Sequence, residues 1–184
     1  MRKDFKLSAP LDKDTVSILD AGDSVLISGT VYTARDAAHK KMIEGLNEGN
    51  NLPFDIKNSV IYFAGPAPAK KGEPIGSVGP TTSYRMDAYS PITLKLGVSA
   101  FIGKGKISKD VIDAMIKYKA VYIGAIGGAG ALLSSHVIEN EVIAYPELGA
   151  EAVHKLTVKD FPGIVVIDSR GNNLYETEYL KYKK

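Results

Sequence analysis

The chain has 184 residues, 45% of them hydrophobic and 24% charged, and its 23 basic against 21 acidic side chains leave a formal net charge of +2. A chain of this length buries roughly 70% of the surface it exposes when unfolded, which is enough for one domain with its own core. The composition excludes a disordered or collagenous chain and offers no strong basic footprint for nucleic acid, and the absence of cysteine excludes disulfides, a thiolate nucleophile and any zinc or iron–sulfur site held by this chain's own thiolates.

The opening segment, MRKDFKLSAPLDKD, alternates charged and apolar side chains and has no apolar run of signal-peptide length, so a cytoplasmic location is expected. Val16 to Ile18 and Ser24 to Tyr32 are β-branched runs separated by the turn signal DAGD at 20–23, which predicts two strands and a tight connection. A helix follows. Thr33 is placed to cap it, Asp36 stands three residues on in capping-box spacing, Ala38, Met42, Ile43 and Leu46 form its apolar face, and Gly49 stops it. Ser59 to Ala64 reads as a buried strand running into GPAPAKKGEPIGSVGPTT at 65–82, where Gly and Pro recur too often for regular structure. Long loops inside compact domains commonly bind something, because their backbone polar groups need partners.

Helix resumes near Tyr84, and Ser108 caps a short amphipathic helix with Val111, Ile112, Met115 and Ile116 facing inward. Val121 to Ile126 follows as an apolar strand. The uncharged stretch from Ala120 to Ile138 is long enough to raise a membrane span, but its glycines, serines and His136 make it buried strand and turn instead. Val142 to Ala144, Lys155 to Val158 and Ile164 to Asp168 read as further strands, and DSRGNN at 168–173 as a turn. Strands alternate with helices, with no internal repeat or linker, which predicts one α/β layered domain over residues 1–184, too irregular for a doubly wound sheet.

Arginine is rare here: only Arg2, Arg35, Arg85 and Arg170 stand among the 23 basic residues. Arg35 falls in the first turn of a helix, where a cation opposes the helix dipole at a cost of ~0.3 to 1 kcal/mol. A guanidinium offers a planar fork of donors, so Arg35 and Arg85 converging would suit a dicarboxylate or a phosphate. The structural alternative is a pair of salt bridges to Asp36 and Asp87. GPTTSYRMD at 79–87 sets hydroxyls at the end of the loop, suited either to an anion site or to a plain helix cap. FIGKGKIS at 101–108 flanks Lys104 with Gly103 and Gly105, which would let backbone approach a ligand, or make an ordinary solvated turn. GAIGGAG at 124–130 matches neither nucleotide-binding glycine spacing and reads as a tight, closely packed turn. His39, His136 and His154 lack metal-ligand spacing, so no metal site within the chain is expected. His39 sits one turn after Arg35, where it could hold that side chain, titrate near a bound acid, or be one more polar helix residue.

Together SGTVYTARDAAHKK at 28–41, YFAGPAPAKKGEPIGSVGPTTSYRMD at 62–87, FIGKGKIS, AVYIGAIGGAGALLSSHV at 120–137 and ELGAEAVHKLTVKDFPGIVVIDSRGNNLY at 147–175 resemble one family. It is the beta subunit, equivalently the C-terminal domain, of class I iron–sulfur fumarate hydratases and the related L-tartrate dehydratases. The resemblance implies a swivelling β/β/α layered domain that closes over a separate cluster-bearing alpha subunit, with the active site between them. A [4Fe–4S] cluster would be ligated by cysteines of that subunit and none would be bound by this chain. The assembly would be a hetero-oligomer, α2β2 being one arrangement, with no nucleic-acid or membrane partner, and the chain alone would be inactive.

The implied reaction is reversible hydration of fumarate to L-malate. L(+)-tartrate dehydration is the alternative with the same fold, and a non-catalytic anion-binding or scaffolding domain the alternative of another class. By motif, Arg35, Arg85 and Lys104 resemble the contacts to the dicarboxylate substrate, and Thr81 resembles the catalytic base. A threonine hydroxyl can fill that role only if cations such as Arg85 or Lys104 stabilise its alkoxide. Asp36, His39, Thr82 and Asp87 are expected beside these residues, fixing them in place. A face built to close on another subunit should also leave apolar surface exposed.

Overall fold

Strict alternation of large apolar side chains builds the centre of this molecule. In the computed structural model, which describes residues 3–126 and 128–183, seven strands form one sheet: β1 (Asp4–Ala9), β2 (Ser24–Thr33), β3 (Val60–Tyr62), β4 (Ala100–Gly103), β5 (Val121–Gly124), β6 (Val137–Ala144) and β7 (Val153–Ile167). The helices are α1 (Lys13–Ser17), α2 (Asp36–Asn47), α3 (Ser90–Leu96), α4 (Lys109–Tyr118), α5 (Gly130–Ser134) and α6 (Leu174–Thr177). None of the described helices is long and apolar enough to cross a membrane.

Strands β2, β3, β4 and β5 run parallel, each beside the next. The long β7 then pairs antiparallel with both β5 and β2, so the sheet closes on itself as a ring, β2-β3-β4-β5-β7. Strand β1 lies parallel along Ser24–Gly29 of β2, before the two residues Tyr32 and Thr33 that meet β3, and β6 lines the far edge of β7. Closure explains the two separate apolar clusters. Val60, Tyr62, Ala100, Ile102, Val121 and Ile123 fill the ring with residues of β1, β2 and β7. Their neighbours Ile61, Phe63, Phe101 and Tyr122 point outward, against Ala38 and Met42 of α2 and Val111 and Met115 of α4. A strand presents successive side chains to opposite faces, so both faces of these short parallel strands must be apolar, and each buried large side chain contributes roughly 1.5–3 kcal/mol.

The structure departs from the expected elements where long-range pairing overrides local pattern. Val16 lies in α1, not in a strand: the Asp12 carboxylate accepts the Thr15 N–H at 2.7 Å as the cap, and Val16 is fully buried while Ile18 is 58% exposed. The alternating charged and apolar opening segment is β1. Thr33 does not cap α2 but ends β2, and Arg35 occupies the cap position. Within that helix Ala38 and Met42 are buried, with Ile43 and Leu46 only half so. Ile116 of α4 is 37% exposed rather than inward-facing. The two strands expected over 155–168 are the single strand β7. Its middle bulges where Lys159 and Asp160 oppose Ser28, with Asp160 at φ 50° and its N–H donating to the Ser28 hydroxyl at 3.0 Å.

The loop over 65–82 lacks helix or strand as expected, yet it is anchored to the core. Ile75 and Val78 enter the ring's apolar cluster, and the Tyr62 hydroxyl donates to the Val78 carbonyl at 2.6 Å. Of the GAIGGAG turn, Gly127 lies outside the described residues, as does Arg2.

Candidate active site

Because β2, β3 and β4 are parallel, the segments leaving their carboxyl ends come out side by side, the usual place for a ligand in such sheets. Backbone bonds stitch those segments together. The Ala34 N–H donates to the Tyr62 carbonyl at 3.1 Å, Phe63 to Ile102 at 2.8 Å, Thr81 to Phe63 at 2.7 Å and Ser83 to Lys104 at 3.0 Å. Thr82 and Lys104 form a parallel bridge. Residues 35, 81–87 and 104 are thereby assembled at one end of the ring.

Arg35 stands at the cap of α2 with extended backbone and makes no side-chain cap. That duty falls to Glu151, whose Oε2 accepts the Ala37 N–H at 3.2 Å. The other carboxylate oxygen of Glu151 lies 2.9 Å from Nη2 of Arg35, with Asp36 Oδ1 further off at 3.7 Å. Both acids offset the unfavourable placement of a cation at the positive end of a helix. His39 is fully buried, between the edge of Phe63 and the face of Tyr89. Its Nδ1 lies 2.9 Å from the Arg35 carbonyl, which can only accept, so the ring is the neutral Nδ1–H tautomer. Burial pushes its pKa down to about 4, against the opposing pull of that carbonyl and of Asp36. His39 therefore neither grips the Arg35 guanidinium nor titrates near neutrality; it fixes the backbone at the start of the helix.

The second half of the site hangs on a buried hydroxyl. Ser83 Oγ accepts the Lys104 N–H at 3.1 Å and lies 2.9 Å from the Tyr122 hydroxyl, which donates in turn to the Gly105 carbonyl at 2.9 Å. The Gly105 N–H donates to Tyr175 Oη at 3.1 Å. A Cβ on residue 103 would stand 2.0 Å from Ser83 Oγ, so Gly103 is glycine to admit this serine rather than a ligand. Asp87 Oδ2 accepts the N–H of Ser108 at 2.7 Å, so Asp87 secures the start of α4, and the Ser108 side chain makes no cap of its own. Desolvation raises the Asp87 carboxyl pKa, partly offset by that bond.

Neither Arg85 nor Lys104 has a hydrogen bond or ion pair from its side chain among the described residues, and both are exposed. The Asp87–Arg85 salt bridge, the alternative to a ligand-binding role, is not formed. Thr81 is half-buried with its N–H committed to Phe63, and Thr82 is exposed. Asp36, Tyr84, Arg85, Asp87, Ala88 and Tyr89 line an open hollow of about 540 Å³. A more apolar hollow of about 560 Å³, lined by Phe5, Leu26, Leu132 and Ile164 among others, shares no residue with it and sits at the opposite end of β2. The more polar hollow is lined by Asp36 and Asp87, whose Oδ1 atoms are buried without a hydrogen-bond partner among the described residues, as are Arg35 Nε, His39 Nε2, Ser59 Oγ, Ser99 Oγ and His154 Nε2. Native proteins keep few such atoms, and four of these seven fall in two short motifs, which makes this end of the ring the candidate site. Among the described residues no group of three or more His, Cys, Asp or Glu is placed to hold a metal ion.

The family model described as Fumarase C-terminus matches residues 1–178. The chain belongs to the fumarase C-terminal family. It is 43% identical over 173 residues to fumarate hydratase 2 of Leishmania major, and 43% identical over 152 residues to the anaerobic class I fumarate hydratase of Escherichia coli K12. These matches cover 92% and 82% of this chain but 30% and 28% of those proteins, so the chain spans less than a third of their length. A Methanocaldococcus jannaschii protein provisionally named L(+)-tartrate dehydratase subunit beta is 44% identical over 173 residues, and there the match covers 90% of this chain and 88% of the other.

In this fumarase C-terminal chain, the residues that sequence reasoning missed are those that hold the site together. Ser83, Tyr122 and Tyr175 tie the loops after β3 and β4 to one another, and Glu151 reaches across to Arg35 from more than a hundred residues away. Ser83 carries a visible signal, a hydroxyl beside the two threonines. Glu151 carries none, because its partners are set by the approach of a distant turn to α2.

Proposed function

We propose that this chain is the beta-type component of a class I hydro-lyase that adds water reversibly to fumarate, giving L-malate. On this reading residues 1–184 form one swivelling β/β/α domain, working in the cytoplasm within a hetero-oligomer such as α2β2. What supports it is that backbone bonds bring the segments carrying Arg35, Thr81, Thr82, Arg85 and Lys104 side by side at the carboxyl ends of three parallel strands. Arg35 is already paired with Glu151, so Arg85 and Lys104 supply the two uncompensated positive charges that match a dicarboxylate, with the Arg35 guanidinium adding directed donors. Arg35, braced by Glu151, would hold one carboxylate in a fixed direction. Arg85 and Lys104, with no side-chain partner among the described residues, would close on the other and lower the cost of an alkoxide at Thr81. Thr81 would then take the proton from carbon in the direction of fumarate, and return it on hydration.

The residues of this chain do not fit an iron–sulfur cluster: it has no cysteine, and no group of alternative ligands is gathered among its described residues. The [4Fe–4S] cluster implied by the family resemblance is therefore assigned to the cysteines of a partner alpha subunit. A second reading keeps the site and exchanges the substrate for L(+)-tartrate. It is favoured by the Methanocaldococcus relative, which matches over most of its own length.

The test is anaerobic co-expression of this chain with a cysteine-bearing candidate partner, followed by assays with fumarate and with tartrate, each chain alone serving as control. Iron and fumarate hydration found only in the complex support the proposal, with Arg85→Ala lowering turnover by about 10²–10³-fold while iron content stays the same. Turnover of tartrate alone selects the second reading. A complex inactive with both substrates, or unchanged kinetics in Arg85→Ala, would overturn the assignment and leave an anion-binding domain.

A further inference from the structure

We propose that Glu151 is a positioning residue, acting through Arg35 to aim its guanidinium. The inference rests on the reading of Arg35 as a substrate-carboxylate contact. An arginine side chain has many rotamers, and a useful contact to a carboxylate needs one of them held before the ligand arrives. Glu151 is placed to do this with both oxygens at once. Oε2 is fixed by the Ala37 N–H at 3.2 Å, which orients the carboxylate on the backbone of α2, and Oε1 then takes Arg35 Nη2 at 2.9 Å. Both side chains of the pair are mostly buried, 21% and 25% exposed. The guanidinium makes no other ion pair as short among the described residues, and its Nε is buried without a hydrogen-bond partner there, so the ion pair with Glu151 is the contact that directs it.

The turn that carries Glu151 is itself docked on the same helix. Lys41 of α2 pairs with Glu147 and lies over the Tyr145 ring. On the other side Gly65, the first residue of the long loop, leaves room that a side chain would fill: a Cβ there would stand 2.6 Å from the Ala150 carbonyl oxygen and 3.2 Å from Arg35 Cδ. Arg35 is thus confined between a glycine that admits it and a carboxylate that directs it. A helix cap alone would need only the Ala37 bond; the second oxygen on the guanidinium is what gives Glu151 a part in binding.

The experiment is a double-mutant cycle in the assembled enzyme, with Arg35→Ala, Glu151→Ala, Glu151→Gln and the double variants Arg35→Ala/Glu151→Ala and Arg35→Ala/Glu151→Gln. Glu151→Ala is expected to lower kcat/KM by about 10–100-fold, and to have no further effect once Arg35 is alanine. Glu151→Gln, which removes the charge and keeps an acceptor oxygen for one of the two donors, should lie between it and the parent, and carries the same test should the alanine variant fail to fold. Equal losses in the presence and absence of Arg35 overturn the inference while leaving the carboxylate-contact reading intact. An Arg35→Ala variant with undiminished kcat/KM overturns both. A second readout needs no partner. The full chain has only four arginines, Arg2, Arg35, Arg85 and Arg170, so its ¹⁵N spectrum resolves few Nε–H signals. The Arg35 Nε is buried, and its signal should broaden or exchange faster in either Glu151 variant; an unchanged signal would show that Arg35 is held without Glu151.

Discussion

Arg35 and the pair Arg85 and Lys104 sit at the same end of the ring but are held in opposite ways. Arg35 is mostly buried, its carbonyl bonded by His39 and its guanidinium ion-paired with Glu151, while Arg85 and Lys104 are exposed cations on a firmly bonded backbone. Beside them Tyr84, a large aromatic, is 69% exposed. The difference teaches where the site is finished by this chain and where it is left open. One cation is aimed in advance by long-range contacts within the domain. The other two have fixed roots and free tips, as suits groups that meet a ligand or a second surface on closure.

The largest effect expected from this contrast concerns His39. In the unfolded chain it takes up a proton below its ordinary pKa of 6.5, while burial delays this to about 4 in the fold. The unfolded state thus binds more protons across that window, and stability falls as pH drops through it, by up to about 3 kcal/mol. Urea unfolding at a series of pH values should show this slope in the parent and a flatter one in His39→Gln; parallel curves would remove His39 as the acid-sensitive point of the Arg35 half.

A somewhat smaller effect tests the other half. Gly103→Ala forces a methyl onto the space of Ser83 Oγ and should cost about 1–3 kcal/mol in thermal or urea unfolding. A neutral outcome would mean that the backbone beneath Lys104 is not held as the Ser83 and Tyr122 bonds indicate. The smallest effect compares the cations themselves. Arg35→Ala strands the Glu151 carboxylate and should destabilise the isolated chain by about 1–2 kcal/mol, whereas Arg85→Ala should stay within about 0.5 kcal/mol. Equal losses would erase the distinction between a braced and a free cation.

Much of the fold was legible from residue patterns, and the reason for each failure is physical. The buried runs around residues 60, 121 and 164 and the amphipathic stretch after Asp36 announce themselves because their periodicity is local. The strand at Asp4–Ala9 does carry the alternation of a half-buried strand, with Leu7 and Ala9 buried, but so short a segment does not announce its pairing with β2, and the helix at Val16 was hidden because two apolar residues cannot distinguish a short helix from a strand. At the site, Arg35 and Arg85 were readable as types suited to a dicarboxylate or a phosphate, while Thr81 and Lys104 were singled out by the motifs that resemble the family. Their braces were not readable.

By itself the sequence determined an α/β domain with an apolar centre, a family, and the absence of thiolate ligands, since these depend on composition, on short periods and on ordered motifs. Only the tertiary structure decided that the sheet closes through β7 and that His39 is neutral and faces backbone. It alone revealed that Gly103 exists for Ser83 and that Glu151 meets Arg35. Each of these depends on a contact between segments far apart in the chain, where geometry is set by how the ring closes and no local spacing carries the information.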